Sequence, residues 1–163
     1  MAKNLAKMPP APFKEPWDHS FADRFSKLVA RRKRVAYFYD QFDNSTFRYR
    51  VYNPCQTLNG LDGEWGGGFF FLSESDRFDV IVDQADLIIV CRVKYSLQYA
   101  ALVAIARAKG KTLIYDVDDL VFDLDLAHFI ANNNAYDLSA PQSIDGWFAY
   151  VGRISTALRM CDG

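Results

Sequence analysis

Apolar positions fall along the chain in two different periods. Phe21, Phe25, Leu28 and Val29 recur at i, i+4, i+7 and i+8, with Arg24, Lys27, Arg31, Arg32 and Lys33 mostly on the other side of the wheel. That spacing predicts an amphipathic helix from Ser20 onward, with Asp18 or Ser20 as its cap. The period then changes. Val35–Tyr39, Asp86–Cys91 and Thr112–Tyr115 are largely continuous apolar runs, which is what buried parallel strands require. Phe69–Leu72 reads as a shorter strand following a flexible Gly66-Gly67-Gly68. Asn53-Pro54 reads as an N-cap and an N1 proline opening a short helix that stops at Gly60. Ser96 is placed to cap an Ala/Leu-rich helix running through Lys109, with Gly110 just past its end. Together 86–91, 97–109 and 112–116 make a right-handed βαβ unit. Residues 120–144 lack periodicity and read as a long connection, before a last helix from near Asp145 towards Met160. The alternation predicts an α/β fold: a three-layer, Rossmann-like domain with a mostly parallel sheet over 34–163. An arm and a basic amphipathic helix, 1–33, precede it. A further strand is due after the last helix, so the 163 residues read as the front part of a longer protein.

Composition narrows the class. Half the chain is apolar and 15% aromatic, which excludes a disordered protein. Cys55, Cys91 and Cys161 are odd in number and lack C-x-x-C spacing, which disfavours a disulfide framework or a zinc site and suits a reducing cytoplasm. No apolar run approaches the roughly 20 residues of a membrane span. The net charge of −1 gives no reason to expect nucleic acid. It conceals an asymmetry: residues 1–34 hold nine basic and three acidic side chains, and the remainder ten basic and seventeen acidic. Arg31-Arg32-Lys33-Arg34 is read first as the solvated end of a helix. The alternative is a basic amphipathic helix over 20–34 touching an anionic membrane face from the cytoplasmic side.

Ligands of open parallel sheets bind outside the carboxyl ends of the strands. Polar residues fall there three times: the turn Asp40–Ser45 with Asn44 and Ser45, Arg92, and the cluster Asp116, Asp118 and Asp119. Arg48 and Arg50 follow the first turn closely. One crevice would then hold guanidinium groups, carboxylates and small hydroxyl or amide groups, a mixture suited to a polyhydroxylated ligand with a phosphate nearby, the arginines holding phosphate or hydroxyl groups. The competing reading makes the aspartates turn caps and Arg92 a structural partner of one of them. Neither G-x-G-x-x-G nor a Walker loop is present, and no serine elbow. His19 and His128 read as solvated side chains rather than catalysts.

The stretch Arg48-Tyr49-Arg50, Pro54, Leu58 resembles the R-Y-R-x-x-x-P-x-x-x-L opening of many bacterial glycosyltransferases of the retaining GT-B class called group 1. Ala85–Arg92 is similar to that family's "aD-hhh-x-R" strand, and Ala108–Phe122 to its "ak-G-k-hhh-D-h-D-D-hhf" segment. The resemblance spans 34–163 with the motifs in the family's order. It implies the N-terminal, acceptor-side half of a two-domain enzyme that moves a sugar from a nucleotide-sugar donor to a glycan or lipid-linked acceptor. It implies no metal and no bound cofactor. The family's donor site, with its Glu-x7-Glu pair, lies in the other half; the only glutamates here, Glu15, Glu64 and Glu74, include no pair at that spacing. The chain is therefore expected to be inactive alone, with Asn44, Ser45, Arg48, Arg50, Arg92, Asp116, Asp118 and Asp119 lining its cleft and no catalytic residue assigned.

Two other readings compete. Leu113–Leu120 also resembles the nucleophile strand of haloacid-dehalogenase-type phosphatases, in which Asp116 would attack phosphorus and Asp118 serve as general acid/base beside Mg²⁺. Only 44 residues follow Asp119, too few for that family's later motifs. The other alternative is a non-catalytic Rossmann-like binding module.

Overall fold

The computed structural model describes residues 15–42, 45–133 and 139–163. Four strands, β1 (Lys33–Tyr39), β2 (Trp65–Phe71), β3 (Leu87–Cys91) and β4 (Thr112–Asp116), form one sheet in the order β2-β1-β3-β4. Every pairing is parallel, and helices cover both faces, so the architecture is a three-layer, Rossmann-like α/β domain. Because successive side chains of a strand point to opposite faces, the apolar runs split cleanly. Ala36, Phe38, Phe70, Ile88, Val90 and Leu113 face one core; Val35, Tyr37, Tyr39, Phe69, Phe71 and Cys91 face the other.

The first core is closed by α1 (Phe21–Val29), α3 (Phe78–Gln84), α4 (Leu97–Ala108) and α6 (Pro141–Arg159), through residues such as Leu28, Ile81, Leu102 and Ile154. Phe47, Val51 and Cys55 close the second: Phe47 precedes a π-helical stretch, Arg48–Tyr52, that carries Val51 and runs into α2 (Asn53–Gly60). This second layer packs on β1 and β2. Beyond it the described residues cover the sheet thinly: Leu87 and Ile89 are half-buried, and Ile114 is 37% exposed.

Local chemistry explains the ends. Ser20 caps α1 in a reciprocal box with Asp23, each bond 3.1 Å. Gly110 follows α4 at φ +63, where its N–H reaches the Arg107 carbonyl and that of Lys111 reaches Ala106. This is a Schellman close in which glycine carries no Cβ penalty. Asp162 and Gly163 lie along the outer edge of β4, bonded to Leu113 and Tyr115.

Several expectations need correction. Gly66–Gly68 is not a flexible lead-in but the first half of β2, and Leu72 belongs to the 3-10 stretch Leu72–Arg77 that follows. Glycine is there for closeness rather than flexibility. A Cβ on Gly68 would lie 2.9 Å from the Arg24 carbonyl and 2.9 Å from Leu28 Cβ in α1, and one on Gly67 3.2 Å from Cys55 Cα in α2. Nor does Asn53 cap a helix; its backbone is already helical, and its N–H bonds to the Arg48 carbonyl five residues back. A proline inside a helix collides with the carbonyl four residues earlier, and the wider π turn carries the helix past Pro54. The last helix starts at Pro141 rather than near Asp145, and α5 (Ala127–Asn133) breaks the long connection. His19 is half-buried, its ring centroid 6.1 Å from that of Tyr52 and 6.2 Å from that of Phe69.

The basic end of α1 is largely tied down. Arg32 and Lys33 pair with Glu64, Arg34 reaches Gln84, and the apolar stripe of α1 faces the core. Among the described residues no helix is long and apolar enough to cross a membrane.

Candidate functional site

The chain crosses from β2 at one side of β1 to β3 at the other, so the strand order reverses between β1 and β3. A crevice outside the carboxyl ends of the strands is expected at such a point. A cavity of about 290 Å³ lies there, lined by Tyr39, Asp40, Gln41, Ser45, Thr46, Arg92, Lys94 and Tyr150. It is at the small end of ligand pockets, with room for roughly one ring and its substituents.

Arg92 organises the rim. One of its terminal nitrogens lies 3.2 Å from Thr46 Oγ1, 3.2 Å from Asp118 Oδ1 and 3.2 Å from Asp119 Oδ2. It thereby links the start of the β1–α2 helix to the loop after β4. Burial opposes its charge, but a hydrogen bond with Tyr150 and the nearby Asp118 and Asp119 leave its pKa above the usual value. Its backbone sits at φ +48, the only non-glycine residue with positive φ among those described. Such a conformation costs of order 1–2 kcal/mol, and strain of this kind gathers at functional sites. Lys94 Nζ pairs with Asp40 at 3.3 Å and lies 5.9 Å from the Tyr150 ring centre. Tyr150 is brought over the rim by α6, which Arg153 ties to the loop after β3: its carbonyl accepts from Tyr95 N–H and its Nε donates to the Tyr95 carbonyl.

The structure sorts the candidate residues. Ser45, Arg92, Asp118 and Asp119 gather at this rim. Arg50 and Asp116 turn to the thinly covered sheet face instead, where both carboxylate oxygens of Asp116 accept from Arg50, Nε at 2.9 Å. That bonding raises the guanidinium pKa further. Arg48 is not among the residues lining the rim cavity; its guanidinium pairs with Glu15 at 2.8 Å. Asn44 lies outside the described residues. Thr46, Lys94 and Tyr150 were not anticipated. Lys94 stands two residues past the strand-end arginine and was within reach of the strand-end rule. Tyr150 is 58 residues from Arg92, and no local pattern announces it.

Chemically the rim is mixed. Two cations, Arg92 and Lys94, face three carboxylates, Asp40, Asp118 and Asp119, so no strong anion-attracting field is built. Among the described residues no group of three His, Cys, Asp or Glu side chains is placed to hold a metal ion. Cys55 and Cys91 are buried, and burial pushes both thiols far up, away from nucleophilic thiolate. Comparison of the chain with protein-family models, curated proteins and solved structures finds no match.

Proposed function

We propose that this chain is the N-terminal, acceptor-side domain of a nucleotide-sugar-dependent glycosyltransferase, and that its rim cavity holds a neutral sugar unit of the glycan or lipid-linked acceptor. The observation that carries the reading is the meeting of Thr46, Arg92 and Asp118 where the strand order reverses. Two cations against three carboxylates, with donors and acceptors clustered, suit hydroxyl groups better than a free phosphate. An Arg donates only, a carboxylate accepts only, and Thr or Tyr does both, so one sugar hydroxyl can be read from two sides. The family-like motifs, in order along 34–163, support the same reading.

The phosphatase alternative fits less well. A nucleophilic aspartate needs a free carboxylate, whereas Asp116 is held at both oxygens by Arg50 and is turned from Asp118.

Titration of the chain with methyl glycosides and short oligosaccharides, followed by NMR, tests the proposal. Resonances of Thr46, Lys94 and Tyr150 are expected to shift. Arg92→Asn, chosen because Asn tolerates the left-handed backbone, should weaken binding 10- to 100-fold through loss of a charged hydrogen bond worth about 1.5–3 kcal/mol. Its melting temperature should hold. Saturable binding of inorganic phosphate at this rim without any response to sugars would overturn the reading.

A further inference from the structure

A second cavity, of about 310 Å³, opens on the sheet face that α2 leaves uncovered, and it is built differently from the rim. Its floor is Ile89 and Ile114, which are register partners on adjacent strands and so present a flat apolar surface. Pro54 and Tyr49 form a wall, and Tyr49, 69% exposed, is an aromatic ring with little packing of its own. One end is the Arg50–Asp116 pair. Into this space comes Tyr37, 9% exposed, whose hydroxyl has no hydrogen-bond partner among the described residues. That hydroxyl is not among the buried polar atoms left without a partner, so it opens into the cavity, where a ligand could accept from it. Tyr99 and Tyr115, by contrast, each bond a backbone carbonyl, at 2.7 and 2.8 Å.

The polar groups at hand are mostly donors. Tyr37 stays protonated, since burial, and less so Cys55 and Asp116, push its pKa up to about 12. Two of Arg50's five N–H bonds go to Asp116. Arg50 and Asp116 cancel in charge, so nothing draws a charged ligand. We infer that this cavity is a binding site for an uncharged planar ring bearing a carbonyl acceptor: the ring lies on Ile89 and Ile114 against Tyr49, and the carbonyl accepts from Tyr37. A pyrimidine base and an aromatic amide share that chemistry. The inference stands independently of the glycosyltransferase reading, because none of these lining residues lines the rim cavity.

NMR titration of the full chain with benzamide and with 1-methyluracil tests it, with cyclohexanecarboxamide as the non-planar control. At least one flat probe should bind saturably with nuclear Overhauser contacts to the Ile89 and Ile114 methyl groups, and at least fivefold more tightly than the control. The tighter of the two flat probes names the source of the ring. Tyr37→Phe removes only the unpartnered hydroxyl and should weaken binding three- to tenfold in a folded protein; Ile114→Asp should abolish it. Equal binding of the saturated control, contacts elsewhere, or no effect of Tyr37→Phe would overturn the inference. So would a concentration-dependent dimer lost in Ile114→Asp, which would make this face a contact between copies.

Discussion

Gly68 shows how one missing Cβ sets the position of a helix. A methyl group there would meet the backbone of α1 at 2.9 Å, and backbone cannot rotate aside as a side-chain tip can. Gly→Ala ordinarily stabilises by about 0.4–1 kcal/mol through the unfolded chain, but overpacking costs about 1–3 kcal/mol, so the clash wins. Gly68→Ala is expected to lower stability by about 1–2 kcal/mol in urea unfolding. Gly152, inside α6 with open space around it, should behave oppositely: Gly152→Ala is expected to gain about 0.5–1 kcal/mol. The sequence shows both residues as glycine and offers no local means of telling them apart. Arg92 is similar. Its place after a strand marked it as a candidate, but its left-handed backbone and its three partners come from loops 46 and 26 residues away.

Among the elements, α1 illustrates a charge that pattern alone misassigns. Arg24 lies on the polar side of the wheel, yet it is 5% exposed and bonds Glu74 through both terminal nitrogens, at 2.9 and 2.6 Å. It also donates to the Phe69 carbonyl at 2.9 Å and lies within 6 Å of four phenylalanine ring centres. Glu74 in turn accepts from the Phe71 N–H, so the pair locks α1 to the carboxyl end of β2. Removing one partner strands the other: Arg24→Ala should cost about 3 kcal/mol, read as a lower urea midpoint with the slope unchanged. Loss below about 1 kcal/mol would mean that the pair contributes no more than a surface bridge. Strands β1, β3 and β4 and helix α4 were legible within a residue or two, because a buried run and a capped Ala/Leu helix each have one stable solution. The start of α2 was not. An Asn-Pro step reads as a helix beginning, and only packing of Phe47 and Val51 under the sheet keeps the chain helical through it.

Across the whole molecule, three tyrosines share one consequence of burial. Tyr37, Tyr99 and Tyr115 all have raised pKa values, burial being the largest cause in each, with Tyr37 near 12 and the others higher. In the unfolded chain they ionise near pH 10. Below that pH both states are protonated and the full contribution to stability is present; above it only the unfolded state releases protons, so stability falls as pH rises from about 10 through 12. Urea unfolding at pH 8, 10, 11 and 12 should show this decline, and Tyr115→Phe should make it shallower by one proton. An unchanged slope in that variant would place Tyr115 in contact with water. The alternation of buried runs and helices was enough to determine an α/β fold with a parallel sheet, because period and capping are properties of neighbouring residues. Which strand lies beside which, the reversal between β1 and β3, the half-covered second face and the meeting of Thr46, Arg92 and Tyr150 were decided only in three dimensions. Those features depend on helices competing for the two faces of one sheet, and that competition is settled by close contacts such as α1 against Gly68, between residues far apart in the chain.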